Sequence, residues 1–174
     1  YGFTIGAWAK PSAYSNNNSY SNNLGGIVAS QYDPDQAGYS VMIEYREYAH
    51  GGTKGGIHFQ VGSEESSDRY WTSSNEGNTQ SLLPINEWTY ITVVAEVENQ
   101  YKVYFNELEV ASWVPKQSIS YTDNCRLAIG WNEHVDNSGR FFYGEIDDIR
   151  IYNRALSETE IQELYNEGNN VCTE

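Results

Sequence analysis

Apolar and polar residues alternate most cleanly over residues 88–105. Ile91, Val93, Ala95 and Val97 fall on one face of a first strand, and Tyr101, Val103 and Phe105 on one face of a second. A period of two marks half-buried strands, and the short break between them predicts a hairpin. Asn106 and Glu107 make the turn that follows. The same reading predicts strands at residues 3–10, 26–31, 39–45, 57–61, 108–113 and 126–130. His58 alternates with Ile57 and Phe59 and is expected on the outward side of its strand. Residues 12–23 (SAYSNNNSYSNN), 47–56, 63–68 (SEESSD) and 131–140 have no periodicity and read as loops.

The pattern changes once, over residues 141–168. Strict alternation would put Ile146 on one face and Ile149 and Ile151 on the other. One extra residue at Asp147–Asp148 brings all three to the same face, so a β-bulge is predicted there. Ser157 and Glu160 then have capping-box spacing, and Leu156 and Ile161 occupy the places of a hydrophobic staple. Ile161, Leu164 and Tyr165 give one apolar stripe over two turns, and Gly168 stands where a left-handed residue would end the helix. Many short strands and one late helix predict an all-β fold: an antiparallel β-sandwich (jelly roll) with one short C-terminal helix.

Composition narrows the function classes. The chain has 174 residues, enough for one domain with a sizeable core, and is rich in Tyr (15), Trp (5) and Gly (15). Its formal net charge of −14 repels phosphate backbones and anionic lipid, so nucleic-acid binding is excluded. No apolar run approaches the ~20 residues that span a bilayer. Three scattered histidines leave neither a zinc cluster nor much acid–base chemistry near neutral pH. Cys125 and Cys172 are two buried thiols or a disulfide; the second alternative ties down a terminus that would otherwise fray, worth roughly 4 kcal/mol on the chain-entropy model.

The wording of residues 141–168 (FFYGEIDDIRIYNRALSETEIQELYNEG) resembles the laminin-G-type jelly rolls of the concanavalin A-like superfamily, which also holds the pentraxins. The resemblance extends through FTIGAWAKP (3–11), LPINEWTYITVV (83–94), YKVYFNELEVAS (101–112) and RLAIG (126–130). It implies a single domain over residues 1–174. Members carry a further strand before the FTI stretch, so the chain reads as a domain excised from a longer extracellular or cell-surface protein.

The pentraxin branch places calcium ligands in an Asp-containing turn and in the loop after the IG strand end. The matching residues are Asp33, Asp35 and Gln36 in the turn, and Glu133 and Asp136 in the loop. The resemblance implies that these two loops meet at one site, where calcium takes its six to eight oxygens. Ordinary turn chemistry and a solvated acidic loop account for the same residues. Trp131 at the start of the second loop is either a core lid or an indole that stacks on a sugar face. Asn132, His134, Tyr14 and Tyr20 are the accompanying candidates for ligand contact.

Glu145 and Asp147 resemble part of the glutamate-x-aspartate-x-x-glutamate signature of laminarinase-type glycosidases. Alternation would set them ~7 Å apart on one face. Arg150 stands where the last glutamate, the general acid, would be, so these carboxylates read as bulge residues and not as a catalytic pair. The sequence therefore predicts a non-catalytic carbohydrate-binding or adhesion module with a calcium cofactor and a glycan or other extracellular partner. A glycan-cleaving enzyme and a protein-adhesion domain without a sugar site are the rivals.

Overall fold

The computed structural model describes residues 2–12, 24–32, 37–44, 56–62, 67–71, 82–96, 100–114, 126–132 and 140–171. Twelve strands and one helix lie among them. The strands are β1 (Gly2–Pro11), β2 (Leu24–Tyr32), β3 (Ala37–Glu44), β4 (Ile57–Gly62), β5 (Ser67–Trp71), β6 (Thr89–Glu96), β7 (Gln100–Phe105), β8 (Leu108–Trp113), β9 (Leu127–Ile129), β10 (Trp131–Asn132), β11 (Arg140–Phe141) and β12 (Gly144–Tyr152). The helix α1 covers Glu158–Val171.

A five-stranded sheet runs in the order β12-β1-β6-β7-β8. A seven-stranded sheet runs β10-β11-β2-β3-β4-β5, with β9 also beside β2. All pairings are antiparallel except the short one between β11 and β2. The predicted hairpin holds its register: Ile91 pairs with Phe105, Val93 with Val103 and Ala95 with Tyr101. Those six residues join Ile5, Ala7 and Ala9 of β1 in the core, against Ile27, Val28, Ile57 and Phe59 of the other sheet. Phe59 meets Tyr101 edge-on at 5.8 Å between ring centroids, and Phe3 stacks on Tyr39 at 5.0 Å. Two inner faces interdigitating in this way make a β-sandwich.

Strand β6 is buried on both faces from Thr89 to Ala95, because α1 covers the outer side of its sheet. Val94, Tyr104, Leu156 and Ile161 form this second apolar cluster. Thr4, fully buried, holds the connection into the helix: its hydroxyl donates to the Arg154 carbonyl (2.9 Å) and accepts from Leu156 N (3.0 Å). The capping box is present in both directions, Ser157 N to Glu160 Oε2 (2.9 Å) and Glu160 N to Ser157 Oγ (3.4 Å). The bulge falls as predicted. Asp148 takes φ 44°, the β1–β12 register shifts there, and Ile146 and Ile151 lie across from Ala9 and Ile5.

Two expectations are corrected. Gly168 does not end α1, which continues to Val171. A Cβ at Gly168 would collide with the indole of Trp8, so glycine stands there for close approach and not for a left-handed turn. Ser67 and Asp68, read as the end of an acidic loop, open strand β5, which pairs with β4 from Gly62↔Ser67 to His58↔Trp71. Backbone pairing makes this edge strand, and polar residues suit an edge.

Candidate functional site

Strands β9, β10 and β11 build one rim of the seven-stranded sheet. Gly130 turns the chain between β9 and β10 with φ 71°. Its N–H reaches the Ile27 carbonyl and its carbonyl accepts Phe142 N, each at 2.9 Å. Phe142 packs on the core, so alternation turns its neighbours outward: Phe141 is 56% and Tyr143 53% exposed. Trp131 pairs with Phe141 in register, and their rings lie 6.5 Å apart, tilted by 30°. Leu127 and Ile129 add exposed aliphatic surface along β9. Ser12, from which the segment carrying Tyr14 and Tyr20 continues, donates its N–H to the Tyr143 carbonyl (2.9 Å).

Trp131 is the one predicted contact residue whose side chain is described, and it is half-buried against Phe141. The Asn132 backbone pairs with Arg140. His134, Tyr14 and Tyr20 lie outside the described residues, as do Asp33, Asp35, Gln36, Glu133 and Asp136, and Cys125 and Cys172. The strands that frame the two acidic loops are described. Tyr32↔Ala37 closes the Asp33–Gln36 connection at the end of β2. Asn132↔Arg140 closes the other loop beside Phe141↔Gly26, near the start of β2. The six steps from Gly26 to Tyr32 span ~20 Å at ~3.3 Å per residue. Strand β9 runs antiparallel to β2.

The Glu145–Asp147 carboxylates lie on the opposite, helix-covered side of the five-stranded sheet, across from Lys10 and Trp8. Glu145 pairs with Lys10 at 2.9 Å, and Lys10 also lies over the Trp88 ring at 5.7 Å. Asp147 accepts the Asp148 N–H (2.8 Å). Asp148 holds Arg150 through Nε and Nη2, both at 2.9 Å, and Arg150 reaches Glu167 of α1 at 2.6 Å. Those hydrogen bonds raise the guanidinium above its ordinary pKa, Asp148 contributing most. The carboxylates thus tie the bulge to the helix. An open groove of about 540 Å³ beside the start of α1 has its Lys102 closed by Glu109 (3.0 Å) and Glu158 (3.4 Å). Among the described residues no cluster of three His, Cys, Asp or Glu has metal-site geometry.

Sequence reasoning missed Phe141 and Tyr143 as site residues. The run Phe141–Phe142–Tyr143 carried the signal, since three consecutive aromatics on a strand cannot all face one core.

Two packed, mainly antiparallel sheets with twelve strands among the described residues define a jelly roll of the lectin type. The family model for the concanavalin A-like lectin/glucanase superfamily matches residues 1–162, and the chain belongs to that superfamily. No curated protein matches its sequence closely enough to count as a relative. Among solved structures, domain 4 of AbnA, an extracellular arabinanase of Geobacillus stearothermophilus in complex with arabinotriose, shares 20% identity at TM-score 0.62. That match covers 94% of this chain and 66% of that one. The receptor-binding domain of botulinum neurotoxin type G shares 17% at TM-score 0.62, covering 96% of this chain and 38% of the toxin domain. A botulinum neurotoxin type C structure, whose cell entry depends on two ganglioside molecules, shares 16% at TM-score 0.58, covering 95% and 35%. The chain thus spans little more than a third of the toxin domains. At these identities the likeness concerns the fold. No described helix is long and apolar enough to cross a membrane.

Proposed function

We propose that this chain is a non-catalytic glycan-binding module of an extracellular protein, and that its platform is the Trp131–Phe141–Tyr143 rim. The observation that carries the reading is the Trp131–Phe141 ring pair, with Phe141 more than half exposed beside an exposed Tyr143. Rings offered in this way take the CH face of a sugar, while Asn132, His134, Tyr14 and Tyr20 supply groups for its hydroxyls. The structural neighbours that carry arabinotriose or depend on gangliosides support the reading by analogy of fold. A glycan array with and without calcium tests it; a blank array in both conditions would sink it. Turnover of β-glucan or alginate that Glu145→Gln abolishes would make the chain an enzyme instead. The extracellular setting accommodates a Cys125–Cys172 disulfide, and two alkylatable thiols in freshly secreted protein would contradict that bond.

Calcium enters through the rim loop. Glu133 and Asp136 are its ligands, while Asp33, Asp35 and Gln36 form a separate turn or a second site. A cation that binds only the folded chain raises stability by about 2.7 kcal/mol at a hundredfold excess over Kd. The expected melting shift is on the order of 6–10 °C for a domain of this size. Glu133→Ala should remove the shift and Asp35→Ala should leave most of it. Equal loss in both variants would restore the shared site, and no shift in wild type on chelation would end the calcium reading.

A second reading has its own observation. Ile129 lies across from buried Val28 and Ile151 across from buried Ile5, yet both are about half exposed. Exposed aliphatic groups on core-side positions suit a protein contact. That reading predicts a blank array together with an association that Ile129→Asp abolishes.

A further inference from the structure

We infer that the rim is one end of a longer site, which takes an internal stretch of a single glycan chain and has Trp71 at its far end. This rests on the glycan reading above. The pairing registers of the seven-stranded sheet line up one row across six strands. Trp131 pairs with Phe141, Phe141 with Gly26, Gly26 with Met42, Met42 with His58 and His58 with Trp71. Residues directly opposite each other on neighbouring strands share a face. Here it is the outer face: Ile57 and Phe59, on either side of His58, are buried in the core, and Phe142, next to Phe141, packs on that core.

Aromatic residues occupy both ends of the row, Trp131 and Phe141 on β10 and β11 and Trp71 on the edge strand β5. Between them Gly26, itself buried, adds no side chain. In the adjacent row of the same face Ser40 pairs with Gln60 and Gln60 with Arg69, residue types that hydrogen-bond hydroxyl groups. Strands lie ~4.8 Å apart, so the five steps from β10 to β5 cover ~24 Å. One unit of an extended polysaccharide advances by about one strand spacing, so about five sugars cross the row. The sheet also twists, by about 20–25° per strand. The Trp131 and Phe141 rings, tilted by 30°, are in keeping with that twist. A twisted row fits one soluble chain and not the flat face of a crystalline polysaccharide.

Titration calorimetry with disaccharides and hexasaccharides of xylan, β-1,4-glucan, β-1,3-glucan and α-1,5-arabinan measures the length dependence. Where the glycan array identifies another polysaccharide, its own fragments of those lengths replace them. In the series that binds, the hexasaccharide should bind at least ~10-fold more tightly than the disaccharide. Trp71→Ala should weaken the hexasaccharide roughly 2- to 10-fold and leave the disaccharide within about twofold, whereas Phe141→Ala should weaken both. If Trp71→Ala does not fold, His58→Ala should show the same split. Equal affinity for the two lengths, or full hexasaccharide affinity in a folded Trp71→Ala protein, would overturn the inference while leaving the glycan reading intact, since the rim alone would then be the site. Binding to microcrystalline cellulose as tight as to the soluble hexasaccharide would overturn it as well. If no series binds and the array is blank, the glycan reading itself fails, and this inference with it.

Discussion

The helix-covered face of the five-stranded sheet and the β9–β11 rim use the same residue types for opposite ends. Under the helix, Trp8 lies 5.3 Å from Tyr90 and 5.7 Å from Tyr165, ring centroid to ring centroid, and Gly168 closes over its indole. At the rim half-buried Trp131 meets Phe141 at 6.5 Å, and Phe141 is exposed. Charge divides likewise. The helix side neutralises its carboxylates through Lys102, Arg150 and Arg154; the first two pairs fasten α1 to the sheet, and the third ties its first turn to the preceding connection. Aromatic residues in this sandwich thus take their environment from what stands opposite them: a helix makes them core, and its absence at the rim leaves Phe141 and Tyr143 exposed.

Breaking the helix side should cost stability and leave ligand capture alone. Ile161→Ala removes a side chain that is 1% exposed between α1 and the sheet. A loss of about 3 kcal/mol is expected, or ~6–12 °C in melting temperature at ~2–4 °C per kcal/mol. Calorimetric scanning checks it, and a drop under ~2 °C would mean that α1 is dispensable. Gly168→Ala is smaller and sharper. In an exposed helix this change stabilises by ~1 kcal/mol; here the new Cβ meets the Trp8 indole, so the sign should reverse, with a change in Trp8 fluorescence.

The smallest effect is a pH dependence. Hydrogen bonds from Arg154, then from Ser157, hold the Glu160 carboxyl at about 2, below its ordinary 4.5. A carboxylate depressed by folding adds stability above its unfolded pKa and loses it as pH falls through the folded value. The melting-temperature advantage of wild type over Glu160→Gln should therefore be full at pH 5 and vanish towards pH 2. An advantage independent of pH would assign the effect to shape instead of charge.

Most of the fold was legible because strong local signals agreed. Alternation at Ile91, Val93 and Ala95 set the central hairpin, and Ser157 with Glu160 set the helix start. The position of the three isoleucines required the bulge at Asp148. What escaped was decided by tertiary neighbours. Nothing local to Gly168 reveals that Trp8 approaches it, and a polar segment such as Ser67–Trp71 becomes a strand only beside β4. The candidate site was half legible. Trp131 was read as a candidate from its place after a strand, while Phe141 and Tyr143 were passed over because the outward face of their segment was not considered.

The central claim, an aromatic glycan platform separate from the stabilising helix face, is tested most directly by Phe141→Ala and Trp131→Ala. The readouts are affinity electrophoresis on the first polysaccharide that the array identifies, and melting temperature. Each stacked ring contributes on the order of 0.5–1.5 kcal/mol, so retardation should weaken by roughly 2- to 10-fold in each variant. Phe141→Ala should shift melting by less than ~2 °C, as for an exposed residue, while Ile161→Ala keeps wild-type retardation. Undiminished retardation in both rim variants, or its loss in Ile161→Ala below its melting point, would contradict the account.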